Sequence, residues 1–385
     1  MCNQLVANVG MARNNQQTPD YPALGGTTMA KNVVLFVGTK KGLFLAESSP
    51  ARKEWEIRGP YCDAWPVNHA AYDPKTGTIF AAGLNAWFGP AIWKSTDLGK
   101  TWTHSSEGLT YGEGAAPLTT VWLIKPAGDV IYAGVEPAGL FKSLDGGETW
   151  QHVEGLRNHP TRPHWQPGGG GLMVHTMEVD PRDPNHLYVG ISVAGVFESQ
   201  DGGETWAPRN EGIEADFPVE VEGIANCAHH FELDRQDPNV LFQQSHQGMF
   251  VSKDCGANWT RVESGLPSNF GFPAVAHPHR SGTYYIAPLN GADKGRFMPD
   301  AATAVYRTDD FGESWRELRQ GLPQDGAYFG VLRQAMTADT LEPAGIYAGS
   351  STGHLFASAD EGETWSEVAS YFPTISSVEA AVIEA

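Results

Sequence analysis

A short motif that recurs along the chain constrains its fold more than any other feature. The pattern Ser/Thr-x-Asp-x-Gly-x-x-Trp occurs six times, for example as SLDGGETW and SQDGGETW. Its Asp residues are separated by 48, 56, 53, 56 and 50 positions and are Asp97, Asp145, Asp201, Asp254, Asp310 and Asp360. Such even spacing indicates a repeat architecture in which each unit contributes the same small assembly of strands.

The residue types of the motif suit a tight turn between two strands. An Asp carboxylate and a Ser hydroxyl can accept hydrogen bonds from backbone N–H groups of their own turn. The Gly tolerates the positive φ that such a turn needs, and the Trp begins the next strand and packs between sheets. We therefore expect the six Asp residues to be structural rather than catalytic.

Four short strands surround each motif. In one unit they are MVHTMEVDP, HLYVGI, GVFESQ and TWAPRN, and four-stranded units of about 40–50 residues are typical of β-propellers. A seventh unit lacks the motif and comprises VVLFVGT, GLFLAES and EWEIRGP, within residues 33–60. Its missing inner strand is expected to be the C-terminal SSVEAAVIEA. The prediction is an all-β, seven-bladed β-propeller over residues 29–385, closed where the C-terminal strand joins the first blade.

Composition limits the partners and the location. Residues 1–28 are polar and lack the apolar stretch of a secretory signal, so we expect a disordered extension there. The chain has no run of about 18 apolar residues that would cross a membrane. Cys2, Cys62, Cys227 and Cys255 have no CxxC spacing, which favours free thiols in a reducing, cytoplasmic setting. The net charge of −19 argues against a nucleic acid or an anionic membrane as the partner.

The motifs, together with HWQPGGGGLMVHT, LFQQSHQGMF and SNFGFPAVAHP, resemble the bacterial neuraminidase-repeat (Asp-box) proteins. These proteins are catalogued as sialidase-like or glycosyl-hydrolase-like repeat proteins, and the resemblance covers residues 30–385. It implies the propeller fold, whereas the same motif occurs in proteins of unrelated activity. Sialidases have six blades and a Phe-Arg-Ile-Pro motif. This chain has seven units and no such motif, so classical sialidase activity is not expected.

Histidines concentrate in segments expected on the face opposite the motif turns. At least seven of the thirteen fall there, namely His69, His159, His164, His175, His229, His230 and His246. When inner strands are aligned on their last Asp, His175 and His229 share one position in adjacent units, and His69 and His230 share the next. We expect these side chains to converge near the upper mouth of a central channel.

Three hypotheses account for this histidine cluster. The imidazoles of His175, His229 and His246 could hold Zn, Cu or Mn, with Glu222 as a further ligand. They could instead act as general acid or base toward a bound substrate. As a third alternative, they simply form hydrogen bonds to neighbouring loops.

Carboxylates, aromatics and one arginine complete the candidate residues. A glycosidase needs two carboxyl groups about 5–10 Å apart. The available ones are Glu113, Glu136, Asp216, Glu220, Glu222, Asp325 and Glu379. Glu379 and Arg333 lie on expected inner strands, where they could form an ion pair or clamp an anionic ligand. Stacking on a sugar ring is a possible role for the aromatics in the loops on that face, which are Trp65, Trp87, Phe88, Trp165 and Phe270.

Two classes of function follow from these residues. The first is a hydrolase or lyase, glycosidase-like, acting on a glycan or small polar metabolite in a pocket lined by His and Glu. Its candidate catalytic residues are His175, His229, His246, Glu222, Arg333 and Glu379, and its candidate ligand-binding residues are His69, His164, Trp165, His230 and Phe270. The second is a non-catalytic propeller that binds a ligand or protein through the same face. The sequence leaves the oligomeric state open.

Overall fold

Short antiparallel strands are the main regular elements of the structure. The computed structural model describes residues 31–218, 221, 223–224 and 226–384. The expected disordered extension over residues 1–28 and the candidate Glu222 lie outside these described residues. The described part contains 28 strands, one short α-helix and three short 3-10 helices. None of its helices is long and apolar enough to cross a membrane.

The strands are numbered in chain order. The first half comprises β1 (Lys31–Thr39), β2 (Gly42–Ser48), β3 (Glu56–Tyr61), β4 (Val67–Asp73), β5 (Thr78–Asn85), β6 (Gly89–Ser95), β7 (Thr103–His104), β8 (Thr120–Ala127), β9 (Val130–Glu136), β10 (Gly139–Ser143), β11 (Gln151–Val153), β12 (Met173–Val179), β13 (Leu187–Ser192) and β14 (Gly195–Ser199). The second half comprises β15 (Ala207–Pro208), β16 (Ala228–Leu233), β17 (Leu241–Ser245), β18 (Met249–Ser252), β19 (Thr260–Arg261), β20 (Phe270–Ala276), β21 (Tyr284–Leu289), β22 (Val305–Thr308), β23 (Arg316–Leu318), β24 (Val331–Ala338), β25 (Ile346–Ser350), β26 (Leu355–Ser358), β27 (Ser366–Ala369) and β28 (Ile375–Glu384). The helices are α1 (Glu154–Arg157) and the 3-10 helices Cys62–Ala64, Arg162–His164 and Pro299–Ala301.

Hydrogen bonding groups these strands into five four-stranded sheets and one eight-stranded sheet within the described residues. The four-stranded sheets are β4–β7, β8–β11, β12–β15, β16–β19 and β20–β23. The eight-stranded sheet has the order β27-β26-β25-β24-β28-β1-β2-β3, and its two antiparallel halves meet at one parallel pairing of Gln334 with Ser377. The prediction of an all-β chain built from four-stranded groups is confirmed.

One strand of each group forms the inner wall of a ring. These inner strands contact one another in the order β28, β4, β8, β12, β16, β20, β24 and back to β28. Because strands within a group alternate in direction, the motif turns lie at the end where the inner strands finish, which we call the lower face. The connections that lead into the inner strands lie at the opposite end, the upper face.

The C-terminal strand closes the ring, as predicted. β28 pairs antiparallel along β1, with Val378 opposite Val37 and Val382 opposite Val33. A buried ion pair of 3.1 Å between Arg52 and Asp339 also joins the first and last groups. Pairing of β1 with β28 satisfies backbone groups that would otherwise form open sheet edges.

The six motif turns have the hydrogen bonds that the sequence predicts. In the turn at Ser199, the Oγ atom accepts from the backbone N of Gly203 at 2.9 Å. Asp201 accepts from the backbone N of Thr205 at 2.9 Å and from its hydroxyl at 2.5 Å. These hydrogen bonds from Thr205 lower the pKa of Asp201 to about 2, and Gly203 has a φ of 94°. The same contacts recur in the other five turns.

The motif tryptophans connect neighbouring groups. The indole Nε1 atoms of Trp150, Trp259 and Trp315 donate to backbone carbonyl oxygens of the preceding group at 3.0, 2.9 and 2.8 Å. Their rings are buried or half-buried, so each turn combines its own hydrogen bonds with apolar packing between sheets. The motif is structural, as expected.

The hydroxyl of Ser199 is expected to be necessary for its turn. Ser199→Ala leaves the buried N–H of Gly203 without a partner, which should lower the free energy of unfolding by about 1–3 kcal/mol. Ser49→Ala, at an exposed serine, is the control and should change it little. Urea denaturation measures both, and equal stability of the two variants would contradict the structural role of the motif.

Closure by β28 is expected to stabilise the whole ring. Val378 is 2% exposed, so Val378→Asp buries an unpaired charge and should lower the free energy of unfolding by about 3 kcal/mol or more. Glu384→Gln changes the exposed end of the same strand and serves as the control. If thermal unfolding shows the same melting temperature for both variants, β28 does not contribute to stability as described.

Candidate functional site

Two cavities lie in the channel that the inner strands enclose. The upper cavity has a volume of about 550 Å³ and is lined by residues near the starts of β16, β20 and β24. The lower cavity has a volume of about 400 Å³ and is lined by residues towards the ends of β4, β8 and β12. Gln334 on β24 donates from its side-chain amide to the backbone carbonyl of His175 on β12. This hydrogen bond connects two inner strands that are not neighbours in the ring.

The structure divides the predicted site residues between these cavities. The upper cavity is lined by His229, His246, Phe270 and Arg333. The lower cavity is lined by His69, His175, His230 and Glu379. His164 and Trp165 line neither cavity. Trp165 is 5% exposed and packs on Phe197 instead. The expected convergence at one upper mouth therefore holds for only some of the candidates.

The three candidate metal ligands are not brought together. His229 and His246 lie with ring centroids 5.7 Å apart in the upper cavity, whereas His175 lines the lower one. Among the described residues there is no group of three or more His, Cys, Asp or Glu side chains that could hold a metal ion. A Zn, Cu or Mn site that includes Glu222 stays a prediction.

His229 connects two sheets and presents one nitrogen to the upper cavity. It is 3% exposed, and its Nδ1 lies 2.6 Å from the carbonyl oxygen of Gly271 on the next inner strand. Burial lowers the pKa of His229 well below its ordinary value, so the ring is neutral. Because a carbonyl oxygen can only accept, Nδ1 carries the hydrogen and Nε2 is a hydrogen-bond acceptor.

Asp216 is the carboxylate that the described part of the upper cavity contains. It accepts from the backbone N of Cys227 at 2.5 Å and from the side-chain amide of Gln247 at 2.7 Å. His246 Nδ1 lies 3.3 Å from the same carboxylate. Its two oxygens are thus occupied by protein donors, and the pair of carboxyl groups that a glycosidase needs is not found among the described residues of this cavity.

The lower cavity is lined by three glutamates, Glu178, Glu232 and Glu379, and by two cationic side chains, Arg235 and Lys125. Arg235 donates to Glu178 at 3.2 Å and to Glu232 at 2.9 Å, and Lys125 donates to Glu178 at 3.1 Å. Burial raises the pKa of Glu232, but the charge of Arg235 and the contact with His230 outweigh this effect and hold the pKa below its ordinary value. Glu232 is therefore an ionised carboxylate at neutral pH.

Glu379 is in a different state from the other two glutamates. Both cationic side chains of the lower cavity, Lys125 and Arg235, form ion pairs with Glu178 or Glu232. No ion pair among the described residues includes Glu379. Burial raises the pKa of Glu379 to about 7, with Lys125 opposing the shift. The predicted ion pair with Arg333 is not formed, because the two side chains line different cavities.

Two histidines of the lower cavity, His69 and His175, are buried, and their Nδ1 atoms contact other groups of the protein. His69 Nδ1 accepts from the backbone N of Ile124 on the next inner strand at 3.3 Å, and burial lowers the pKa of His69 to about 3. His175 Nδ1 lies 3.0 Å from Thr176 Oγ1, while its Nε2 is buried without a partner in the described structure. His69 and His229 thus form hydrogen bonds to neighbouring inner strands rather than to the loops that the third hypothesis named.

Sequence reasoning missed Glu178 and Glu232 as site residues. Each lies two positions before the Asp that ends the same aligned inner segment, in EVD at Asp180 and ELD at Asp234. This shared spacing, with alternate residues pointing to the same side of a strand, was the available signal. Arg296 was missed as well, since it lies in a loop between β21 and β22 that has no counterpart in the other units.

Comparison with known proteins shows relatives that act on glycans. No family model matches the chain, so the resemblance to neuraminidase-repeat proteins stays a prediction. The oligoxyloglucan-reducing end-specific xyloglucanase of Emericella nidulans is 23% identical over 229 residues, covering 52% of this chain and 27% of that protein. A xyloglucanase of Hypocrea jecorina is 26% identical over 286 residues, covering 66% and 33%. The chain thus spans about a third of the length of these relatives.

Solved structures agree with the fold. The GH74 enzyme of Niastella koreensis aligns with a TM-score of 0.56 at 16% identity, over 88% of this chain and 55% of that one. Apo AztD of Citrobacter koseri aligns with a TM-score of 0.54 at 11% identity, over 92% and 99%. At these identities the likeness concerns the fold alone. With the closed ring of sheets, it defines the chain as a β-propeller.

The buried, neutral state of His69 predicts a pH dependence of stability. The unfolded chain takes up a proton near pH 6.5, whereas folded His69 does so only near its lowered pKa of about 3. Between these values the unfolded state binds more protons. The free energy of unfolding should therefore decrease by about 1.4 kcal/mol for each unit by which the pH is lowered. His69→Asn keeps an acceptor for Ile124 and should reduce this slope by that amount. Urea denaturation from pH 7 to pH 5 measures the slope, and an unchanged slope in the variant would contradict the assignment.

Proposed function

We propose that this protein is a glycan-acting hydrolase whose reaction centre is the lower cavity. The observation that carries the proposal is the placement of three carboxyl groups in one cavity. Two of them form ion pairs with Arg235 or Lys125, and the third has no ion-pair partner among the described residues. Glycoside hydrolysis needs a carboxylic acid to protonate the leaving oxygen and a carboxylate to activate water or attack the sugar. The lower cavity contains candidates for both roles.

Glu379 is assigned the role of general acid. Its pKa, raised to about 7 by burial, keeps it protonated in slightly acidic solution, where it can give its proton to the glycosidic oxygen. Glu232, held ionised by Arg235 at 2.9 Å, is assigned the role of base or nucleophile. Carboxyl groups whose pKa values are driven apart by their environments are typical of such acid and base pairs.

The relatives support a glycan as the substrate class. The xyloglucanases of Emericella nidulans and Hypocrea jecorina match this chain over 52% and 66% of its length. Because the chain spans about a third of each of these proteins, a glycan substrate is proposed for it rather than inherited from them. The candidate residues of the upper cavity are not required for this reaction, since the described carboxylate there is held by protein donors.

The proposal includes the architecture and the location. The five four-stranded sheets and the two halves of the eight-stranded sheet are proposed to be the seven blades of a closed propeller. Cys62, Cys227 and Cys255 are free thiols, which supports a reducing, cytoplasmic setting. A non-catalytic glycan-binding propeller is the alternative, and the same cavity would then bind sugar without cleaving it.

Substitution of the proposed acid tests this function. Glu379→Gln keeps the size of the side chain but removes its proton, so hydrolysis should fall by about 100-fold or more. In the unsubstituted protein, the rate should fall as the pH rises above about 7, because Glu379 then loses its proton. Release of reducing sugar from xyloglucan oligosaccharides and from aryl glycosides measures both effects.

Glu384→Gln, on the exposed end of the same strand, is the matched control and should retain full activity. Glu232→Gln should also lose activity, whereas its folding can be followed separately by thermal unfolding. Retention of hydrolysis by Glu379→Gln would refute the assignment. Binding of these glycans without any hydrolysis would instead favour the non-catalytic propeller.

A further inference from the structure

Two arginines face the upper cavity without a carboxylate partner among the described residues. The guanidinium carbon of Arg333 lies 5.0 Å from the ring centre of Phe272, and that of Arg296 lies 5.3 Å from the ring centre of Phe270. Arg333 Nε is buried and makes no hydrogen bond in the described structure. Arg296 is exposed, and its Nε donates to the carbonyl oxygen of Ala292 at 3.2 Å. Other arginines of the protein are paired with carboxylates, among them Arg182, Arg209, Arg235 and Arg280.

The charge of Arg333, which has no carboxylate partner among the described residues, is unfavourable for folding. Removing a guanidinium from water without a counter-ion costs free energy that packing on one aromatic ring recovers only in part. Burial accordingly lowers the pKa of Arg333, and the neighbouring Cys227 thiol opposes this shift. Arginines that face one cavity are suited to bind a carboxylate, because the planar guanidinium matches its two oxygens.

We propose that the upper cavity binds a hydroxylated organic monocarboxylate, with the carboxylate held between Arg333 and Arg296. The body of the ligand then packs against Phe270 and Phe272, which line the same cavity. This site is separate from the reaction centre proposed in the lower cavity. The ligand supplies the counter-ion that the described protein residues lack.

Charge balance favours a monoanion. Among the described lining residues, Arg296 and Arg333 contribute two positive charges and Asp216 contributes one negative charge. Asp216 is engaged by Cys227 N and by the Gln247 amide, so it is not available to ligand hydroxyls. A single carboxylate neutralises the remaining charge, whereas a phosphate dianion leaves an excess of negative charge in a cavity of restricted hydration.

The other groups of the cavity favour a hydroxylated ligand body. His229 is neutral and donates from Nδ1 to Gly271, so Nε2 is left as an acceptor for a ligand hydroxyl. The volume of about 550 Å³ is in the range of small-molecule sites. A sugar ring meets these requirements, since its polar edge bonds to histidine while its apolar face packs on phenylalanine.

Calorimetric titration of the full chain tests this site. D-galacturonate and D-glucuronate represent sugar acids, D-gluconate represents small hydroxy acids, and D-galactose and inorganic phosphate are the controls. We expect at least one hydroxy acid to bind while galactose and phosphate do not. Tighter binding of the two uronates would identify a sugar acid as the source, and tighter binding of gluconate a small hydroxy acid. Binding of galactose as tight as that of galacturonate, or no binding of any acid, would overturn the proposal.

Variants then assign the binding to the arginines. Arg333→Gln should weaken acid binding by about 10-fold or more, the loss expected for a charged hydrogen bond, and Arg333→Lys should weaken it less. Arg316→Gln, at an exposed arginine paired with Glu363, is the control and should bind normally. Without ligand, Arg333→Gln should unfold at the same or a higher temperature, because it removes a charge that has no carboxylate partner among the described residues.

Unchanged affinity in Arg333→Gln, or a marked loss of its thermal stability without ligand, would show that the arginine has a structural role and would refute the site. Glu379→Gln should bind the acid as the unsubstituted protein does. Failure of the hydrolase proposal and failure of this binding site are therefore distinguishable by separate variants and separate measurements.

Discussion

The pairing of β28 with β1 is the interaction on which the rest of the structure depends. It joins the two ends of the described part of the chain along nine residues of β1, from Lys31 to Thr39, and the buried ion pair of Arg52 with Asp339 supports it at the periphery. Because the inner strands contact one another in a closed order around the ring, closure fixes the position of every other group. It also creates the channel, since seven inner strands arranged around a centre leave a space that side chains fill only in part.

The channel contains two cavities with distinct chemical environments. The hydrogen bond between Gln334 and His175 crosses the ring, and the residues on either side differ in charge. Below it, Arg235 and Lys125 neutralise Glu178 and Glu232 and leave Glu379 with a proton to give. Above it, Arg333 and Arg296 lack such partners among the described residues, and a neutral His229 presents an acceptor. One cavity is thus suited to acid and base chemistry and the other to binding an anion.

Most of the fold could be predicted from the sequence, because it depends on local repeats. The six motifs indicate their own turns, and the register of the strands follows from apolar alternation between them. The unit without the motif and its completion by the C-terminal strand were predicted for the same reason. The number of separate sheets was not, since the single pairing of Gln334 with Ser377 merges two groups.

The candidate site could be predicted only in part. Sequence spacing indicates which histidines lie on inner strands, but not how far along the channel each side chain reaches. His175 and His229 share an aligned position and yet line different cavities. Ionisation was also beyond the sequence, because the state of Glu379 depends on Lys125 and Arg235, which are engaged by other glutamates. Arg296 lies in an irregular loop, where no periodicity indicates that it faces a cavity.

The pH titration of the Glu379 side chain tests the central claim most directly. Carboxyl carbon NMR of the protein labelled at glutamate, with the signal assigned through its absence in Glu379→Gln, follows this one group. The account predicts a midpoint near pH 7, the value to which burial raises its pKa. A midpoint near the ordinary glutamate value of about 4.3 would contradict the claim that the lower cavity holds a protonated acid beside ionised carboxylates.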